Sequence, residues 1–152
     1  IHDWVADNIY YDNDYINGKV NSTNEIPASV ATERYAVCVG YSTLTRDLLA
    51  AAGIPSKIVY GFAIGESGEE AWSDVNVAKL QENHAWNVAY ADGRWIQIDT
   101  TWDSANTYEN GKFVSGGEIY HSYFDSTLQY FSSSHLEMEW VPAGFDHLEL
   151  AQ

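Results

Sequence analysis

The chain has 152 residues, 45% hydrophobic and 14% aromatic, which is the composition of a folded globular protein rather than a disordered segment. Its 22 acidic against 7 basic residues give a net charge of −15, which repels phosphate and argues against a nucleic-acid partner or an anionic membrane surface. A single cysteine excludes an internal disulfide, and no apolar run approaches the roughly 18 residues of a membrane-spanning helix.

A chain of this length is expected to form one domain around one core. No repeat or low-complexity stretch interrupts it, and the prolines at 27, 55 and 142 are scattered rather than gathered into a linker. Residues 1–152 therefore read as a single domain. No signal-peptide pattern is visible. The opening at Ile1 rather than Met reads as a piece of a longer protein.

In chain order, residues 1–11 predict a helix with Ile1, Trp4, Val5 and Ile9 on one stripe. Residues 12–29, rich in Asn, Asp, Ser and Gly, read as a long loop. Residues 38–52 predict a second helix with Tyr41, Leu44, Leu48 and Ala52 along one face, stopped by Gly53 and Pro55. Residues 56–64 predict a buried strand and 65–82 an irregular segment. Two strand runs, 84–91 and 94–102, are separated only by Asp92-Gly93, a strong hairpin signal. Residues 104–118 read as a loop with Gly-rich turns, and 119–124 and 136–141 as further strands. Helices followed by an antiparallel hairpin predict an α+β fold, with helices packed on an antiparallel sheet.

The chemistry concentrates in two places. Cys38 opens the second predicted helix, where free N–H groups and the helix dipole favour a negative charge on sulfur. In the hairpin, a two-residue Asp92-Gly93 loop pairs Ala91 with Arg94. His84, Trp86, Asp99 and Thr101 then share one face. His84 and Asp99 become diagonal neighbours, roughly 7–8 Å apart between backbones and closer between side-chain tips. A carboxylate so placed can hold an imidazole in one tautomer and support its charged form.

The runs ERYAVCVGYSTLTRDLLAAAGIPSKIVYG and NHAWNVAYADGRWIQIDTTWD resemble the core of the transglutaminase-like superfamily, itself similar to papain-type proteases. The likeness covers residues 30–104, and the tail YFDSTLQYFSSSHLEMEW is similar to the closing segment of bacterial members. The resemblance implies a transglutaminase/papain-like core in which Cys38 is the nucleophile, His84 the general base and acid, and Asp99 the orienting carboxylate. Trp86 and Trp102 are expected to pack the sheet or to wall the active site and meet substrate. It further implies a protein or peptide substrate attacked at an amide carbonyl through a thioester. Water would then make the enzyme a peptidase or amidase, and a lysine amine a crosslinking transglutaminase. Secretion or cell-wall association is implied as well. The family often carries Gly two residues before the nucleophile, where this chain has Ala36. The backbone N–H of Cys38 would be one oxyanion donor, with Trp4, Tyr10, Tyr11 and Tyr35 open as the second.

Other signals are weaker. Asp12 and Asp14 start a calcium-like loop, but Ile16 and Asn17 break its pattern. His2, His121, His135 and His147 show no metal-ligand spacing with the one cysteine, so neither metal nor cofactor is expected. Asn21-Ser22-Thr23 matches a glycosylation triplet. A non-catalytic protein- or wall-binding module on the same fold is the alternative reading.

Overall fold

A computed structural model describes residues 1–138. The elements run α1 (His2–Asn8), β1 (Tyr10–Asp12), α2 (Asn13–Ile16), α3 (Pro27–Glu33), β2 (Tyr35–Ala36), α4 (Cys38–Ala51), β3 (Ser56–Ala63), β4 (His84–Ala91), β5 (Arg94–Ile98), β6 (Thr107–Glu109), β7 (Lys112–Val114), α5 (Leu128–Phe131) and β8 (His135–Glu137). The α+β architecture is the one expected. The main sheet has the order β5-β4-β3-β8 and every pair in it is antiparallel. A second small sheet, β2-β1-β6-β7, contains parallel pairs of β1 with β2 and with β6.

The hairpin register follows the turn. Asp92 and Gly93 both take positive φ, 51° and 79°, as a type I′ turn requires. Ala91 pairs with Arg94, and the ladder runs in that register to Asn87 with Ile98. Pairing ends there, before Asp99, whose backbone N–H donates to Tyr123 O instead. The alternation of β4 divides the core. Ala89, with Ile96, Ile98 and Leu49 of α4, packs on the face that α4 covers. Val59, Trp86, Val88 and Phe131 pack on the opposite face.

Two side chains lock α4 onto β4. Ser42 Oγ donates to Ala85 O at 3.0 Å, and Asn87 Nδ2 donates to Ser42 O at 3.0 Å. Tyr41 Oη donates to Ile9 O at 2.8 Å and ties α4 to the start of β1. Ala36 is fully buried with Val5, Ile9, Val30, Tyr41 and Leu44, so its methyl lies in the core. Gly40 makes room for it: a Cβ there would stand 2.4 Å from the Ala36 Cβ and 2.4 Å from Asn24 O.

Several expectations need correction. Ile1 and Trp4 are exposed at 43% and 46%, and α1 buries His2, Val5 and Ala6 instead. The stripe fails because the chain leaves the helix at Ile9 and enters β1. The predicted loop 12–29 contains α2, capped by Asp12 accepting from Tyr15 N–H, and the start of α3, with Pro27 in its first turn. The predicted loop 104–118 contains the β6–β7 hairpin, turned by Asn110 and Gly111 with φ 53° and 70°. Residues 119–124 form isolated bridges rather than a strand. The last predicted strand, 136–141, begins one residue earlier, with β8 at His135–Glu137, and its positions 139–141, like His147, lie outside the described residues.

Candidate active site

Cys38 is the first residue of α4. The preceding Val37 is extended and supplies no side-chain cap, and no acidic side chain occupies the first turn. The N–H groups of that turn are therefore left without a side-chain partner from the cap, with the positive end of the dipole beside the sulfur. Cys38 is partly exposed.

His84 opens β4 and is buried, as is Asp99. His84 Nε2 lies 2.6 Å from Asp99 Oδ2. Asp99 Oδ1 accepts from the backbone N–H of Thr101 at 2.9 Å and of Trp102 at 3.1 Å. Burial disfavours charge on both partners. For His84 the charge and hydrogen bond of Asp99, with a smaller contribution from Cys38, outweigh burial and raise its pKa to about 10. For Asp99 the charge of His84 and hydrogen bonds from His135 and His84 outweigh burial and hold the carboxyl well below the usual range. Both shifts favour the imidazolium–carboxylate form of the pair, with Nε2–H donating to Asp99 Oδ2.

The opposite nitrogen, Nδ1, is buried and makes no hydrogen bond. It lies 3.8 Å from Glu66 Oε1. The Cys38 sulfur is near enough to raise the pKa of the ring, though no aligned hydrogen bond reaches Nδ1. Such contacts are often long in a free enzyme and tighten when substrate binds. The structure thus brings the three sequence-predicted residues together. Ser42 links the two elements that carry Cys38 and His84: its Oγ lies 2.8 Å from Cys38 O and 3.0 Å from Ala85 O.

The two tryptophans part company. Trp102 is half-buried, its ring centroid 5.5 Å from that of His84 and its indole N–H 2.7 Å from Glu66 Oε1. It lines a cleft of about 260 Å³ with Tyr11, Glu66 and Asn106. Trp86 is 1% exposed, stacks against His84 at 6.0 Å and donates to Gln97 Oε1 at 2.7 Å. With no open surface it supports the imidazole from inside, which corrects the expectation that it also meets substrate. Of the four candidate oxyanion donors, Trp4 points into solvent, Tyr10 packs edge-on against Phe113, and Tyr35 stacks on Tyr108. Tyr11 is close to Cys38 and Glu66; burial first, then the Glu66 and Cys38 charges, push its hydroxyl pKa up, so it stays protonated.

Sequence reasoning missed His135. It is fully buried, and its Nε2 lies 3.0 Å from the same Asp99 Oδ2 that meets His84. No local motif marks it, since it reaches Asp99 through the β3–β8 pairing of Ala63 with His135.

Among the described residues two trios place ligand atoms near enough to share an ion: His84, Asp99 and His135, and His2, Asp3 and His121. In the first, both imidazoles converge on Asp99 Oδ2 as hydrogen-bonding partners. In the second, His2 Nδ1 and His121 Nε2 lie 2.9 and 2.7 Å from Asp3 Oδ1, while His2 Nε2 lies 2.9 Å from the buried Asp103. Asp12 caps α2, and Asp14 accepts from the Asn110 and Gly111 N–H groups. A larger cavity of about 410 Å³ lies away from Cys38, floored by Leu49, Ile96 and Ile98.

Comparison with known proteins agrees with the sequence resemblance. The family model of the transglutaminase-like superfamily matches residues 1–100. Kyphoscoliosis peptidase of mouse and of human are each 28% identical over 101 residues, which is 66% of this chain and 14% of theirs. The chain thus spans about a seventh of the length of the curated relatives it matches. A crystal structure of a TGase is 23% identical, with a TM-score of 0.49 over 72% of this chain and 27% of that one. A candidate cysteine protease from Cytophaga hutchinsonii is also 23% identical, with a TM-score of 0.47 over 97% of this chain and 46% of that one.

Proposed function

This chain belongs to the transglutaminase-like superfamily, and from that premise we propose that it is a cysteine-nucleophile enzyme acting on amide carbonyls of proteins or peptides. One observation carries the reading. His84 is held by Asp99 at 2.6 Å through Nε2, Nδ1 makes no hydrogen bond, and the Cys38 sulfur is near enough to the ring to raise its pKa. These features support a nucleophile–base–orienter reading, with the proposed nucleophile on an uncapped helix start.

In the proposed reaction the thiol proton resides on His84 Nδ1, and the imidazolium faces the thiolate. Sulfur attacks the amide carbon, and the C–O π electrons move onto oxygen. The backbone N–H of Cys38 and the Tyr11 hydroxyl are the proposed donors to that oxyanion. Collapse expels the amine, which takes the proton from Nδ1, and leaves an acyl-thioester on Cys38. An incoming water or amine gives its proton to Nδ1 and releases the acyl group. Glu66, 3.8 Å from Nδ1, adds a second negative charge near the imidazolium. The name of the mouse and human relatives supports water as the acceptor.

The test is product mass. Wild-type protein is incubated with a peptide library, with and without a primary amine, and products are read by mass spectrometry. Hydrolysis of the backbone yields fragment pairs that together gain one water. Transamidation yields amine adducts that lose ammonia. Cys38→Ala abolishes both products and leaves the circular dichroism spectrum unchanged. An Ala variant that keeps turnover would remove Cys38 as nucleophile. A wild-type protein that yields neither product would favour the non-catalytic binding module.

A further inference from the structure

We propose that His135 is a positioning residue for the His84–Asp99 pair, a neutral imidazole that donates Nε2–H to Asp99 Oδ2 and fixes the oxygen on which His84 depends. The inference rests on the proposed catalytic reading. It concerns a residue outside positions 1–100, the part matched by the family model.

The geometry assigns the protons. His135 Nδ1 lies 2.8 Å from Ser134 Oγ, and Nε2 lies 3.0 Å from Asp99 Oδ2. A carboxylate oxygen only accepts, so Nε2 carries a proton. The other contacts of Ser134 Oγ are longer, 3.3 Å to Tyr123 Oη and 3.5 Å to Phe131 O. Its hydroxyl proton therefore serves Nδ1, and the ring needs no second proton. Burial, reinforced by the His84 charge, lowers the pKa of His135 against the opposing pull of Asp99 and Glu66. Titratable groups face it on each side: Asp99 beyond β5, His84 on β4, Glu66 after β3 and Tyr123 before α5. Its ring is clamped by Phe131 at 4.3 Å, Trp102 at 4.5 Å and Trp86 at 5.1 Å.

The consequence is an asymmetric sharing of one oxygen. Asp99 Oδ1 is held by two backbone N–H groups. Oδ2 has two imidazoles, one cationic and one neutral. Loss of the neutral donor would leave Oδ2 bonded to His84 alone, with only the Oδ1 bonds to resist its movement, and the orientation of the His84 ring would loosen. A packing role alone would require the ring but not its N–H.

Two variants separate these roles. His135→Phe keeps the ring volume and removes the donor, whereas His135→Gln retains an N–H near the position of Nε2. The readout is the rate of Cys38 alkylation by iodoacetamide against pH, which requires no knowledge of the substrate. We expect His135→Phe to lower the rate at neutral pH about tenfold or more and to shift its pH profile, and His135→Gln to restore most of the loss. A folded Phe variant with the wild-type profile would overturn the inference. A second measurement needs no variant. Nitrogen-15 NMR of histidine-labelled wild-type protein should show His135 neutral, protonated at Nε2, from pH 6 to 8 while His84 is cationic. A cationic His135, or a neutral one protonated at Nδ1, would overturn the inference. The two readings fail separately. An inert Cys38 in wild type would sink the catalytic reading while the NMR result still decides the state of His135. A reactive Cys38 indifferent to His135→Phe would sink the positioning role alone.

Discussion

Asp99 is the residue on which the site turns. A buried carboxylate costs several kcal/mol of lost hydration unless it is fully bonded, and Asp99 has four partners: two backbone N–H groups and two imidazoles. The first imidazole was legible in the sequence, because a two-residue Asp-Gly turn fixes the register and the register fixes the face. The second was not, since His135 arrives through a strand pairing that no turn chemistry specifies. The burial of Trp86 was equally hidden. It depends on Gly61 across the sheet, which leaves space for the indole. Tyr11 belongs to the same scale. If its hydroxyl is the second oxyanion donor, Tyr11→Phe should lower kcat by about 10²–10³ with little change in KM. Steady-state kinetics on any substrate found by product mass would check this, and an unchanged kcat would return the role to another group.

At the scale of elements, α4 and the β4–β5 hairpin do most of the positioning, and both follow from local signals. Gly53 at φ 77° ends the helix as its place before Pro55 implies. The β6–β7 hairpin carried an equally strong signal, Asn110-Gly111. Its strands are only three residues each, too short for alternation to stand out, so the segment reads as a loop with Gly-rich turns. The helices within 12–33 lack an apolar periodicity of their own. They are set by an Asp12 cap and by Pro27, and tertiary contact completes them. Gly61 gives the sharpest test of element packing. A Cβ there would stand 2.4 Å from Leu136 O on β8 and 2.4 Å from the Trp86 ring. Gly61→Ala should therefore push β3 from β8, lower stability by about 1–3 kcal/mol and slow Cys38 alkylation through the displaced Trp86 and His135. Urea denaturation checks the first effect, and stability equal to wild type would contradict the packing account.

For the whole molecule, the titrating groups set a stability window. The folded pKa of His84 is raised to about 10. Its contribution is fully present below the unfolded value of about 6.5 and is lost as pH rises through the folded one. His2, buried against Asp103, is raised too, because its hydrogen bonds to Asp103 and Asp3 outweigh the opposing effect of burial; it acts with the same sign. His135 is lowered and acts with the opposite sign, costing stability as pH falls below about 6.5. Asp99 is depressed, so its contribution is present above about 3.9 and lost as pH falls toward its folded value. The net charge of −15 adds repulsion on the alkaline side. The melting temperature should therefore peak near about pH 6 and fall toward both pH 3 and pH 9. His84→Ala should flatten the alkaline side; a wild-type melting temperature constant from pH 6 to pH 9 would contradict the imidazolium–carboxylate pair.

The central claim, that the fold turns Cys38 into a nucleophile through His84, is tested most directly by the rate at which iodoacetamide alkylates the single thiol at pH 6. Intact-mass spectrometry would compare native protein, the same protein unfolded in guanidinium, and native His84→Ala. An ordinary thiol, titrating at about 8.5, is almost wholly protonated at that pH and reacts slowly. The account predicts that native Cys38 reacts at least about tenfold faster than the unfolded chain and that His84→Ala removes most of the difference. Equal rates in all three samples would mean that the fold holds an ordinary cysteine at the start of α4.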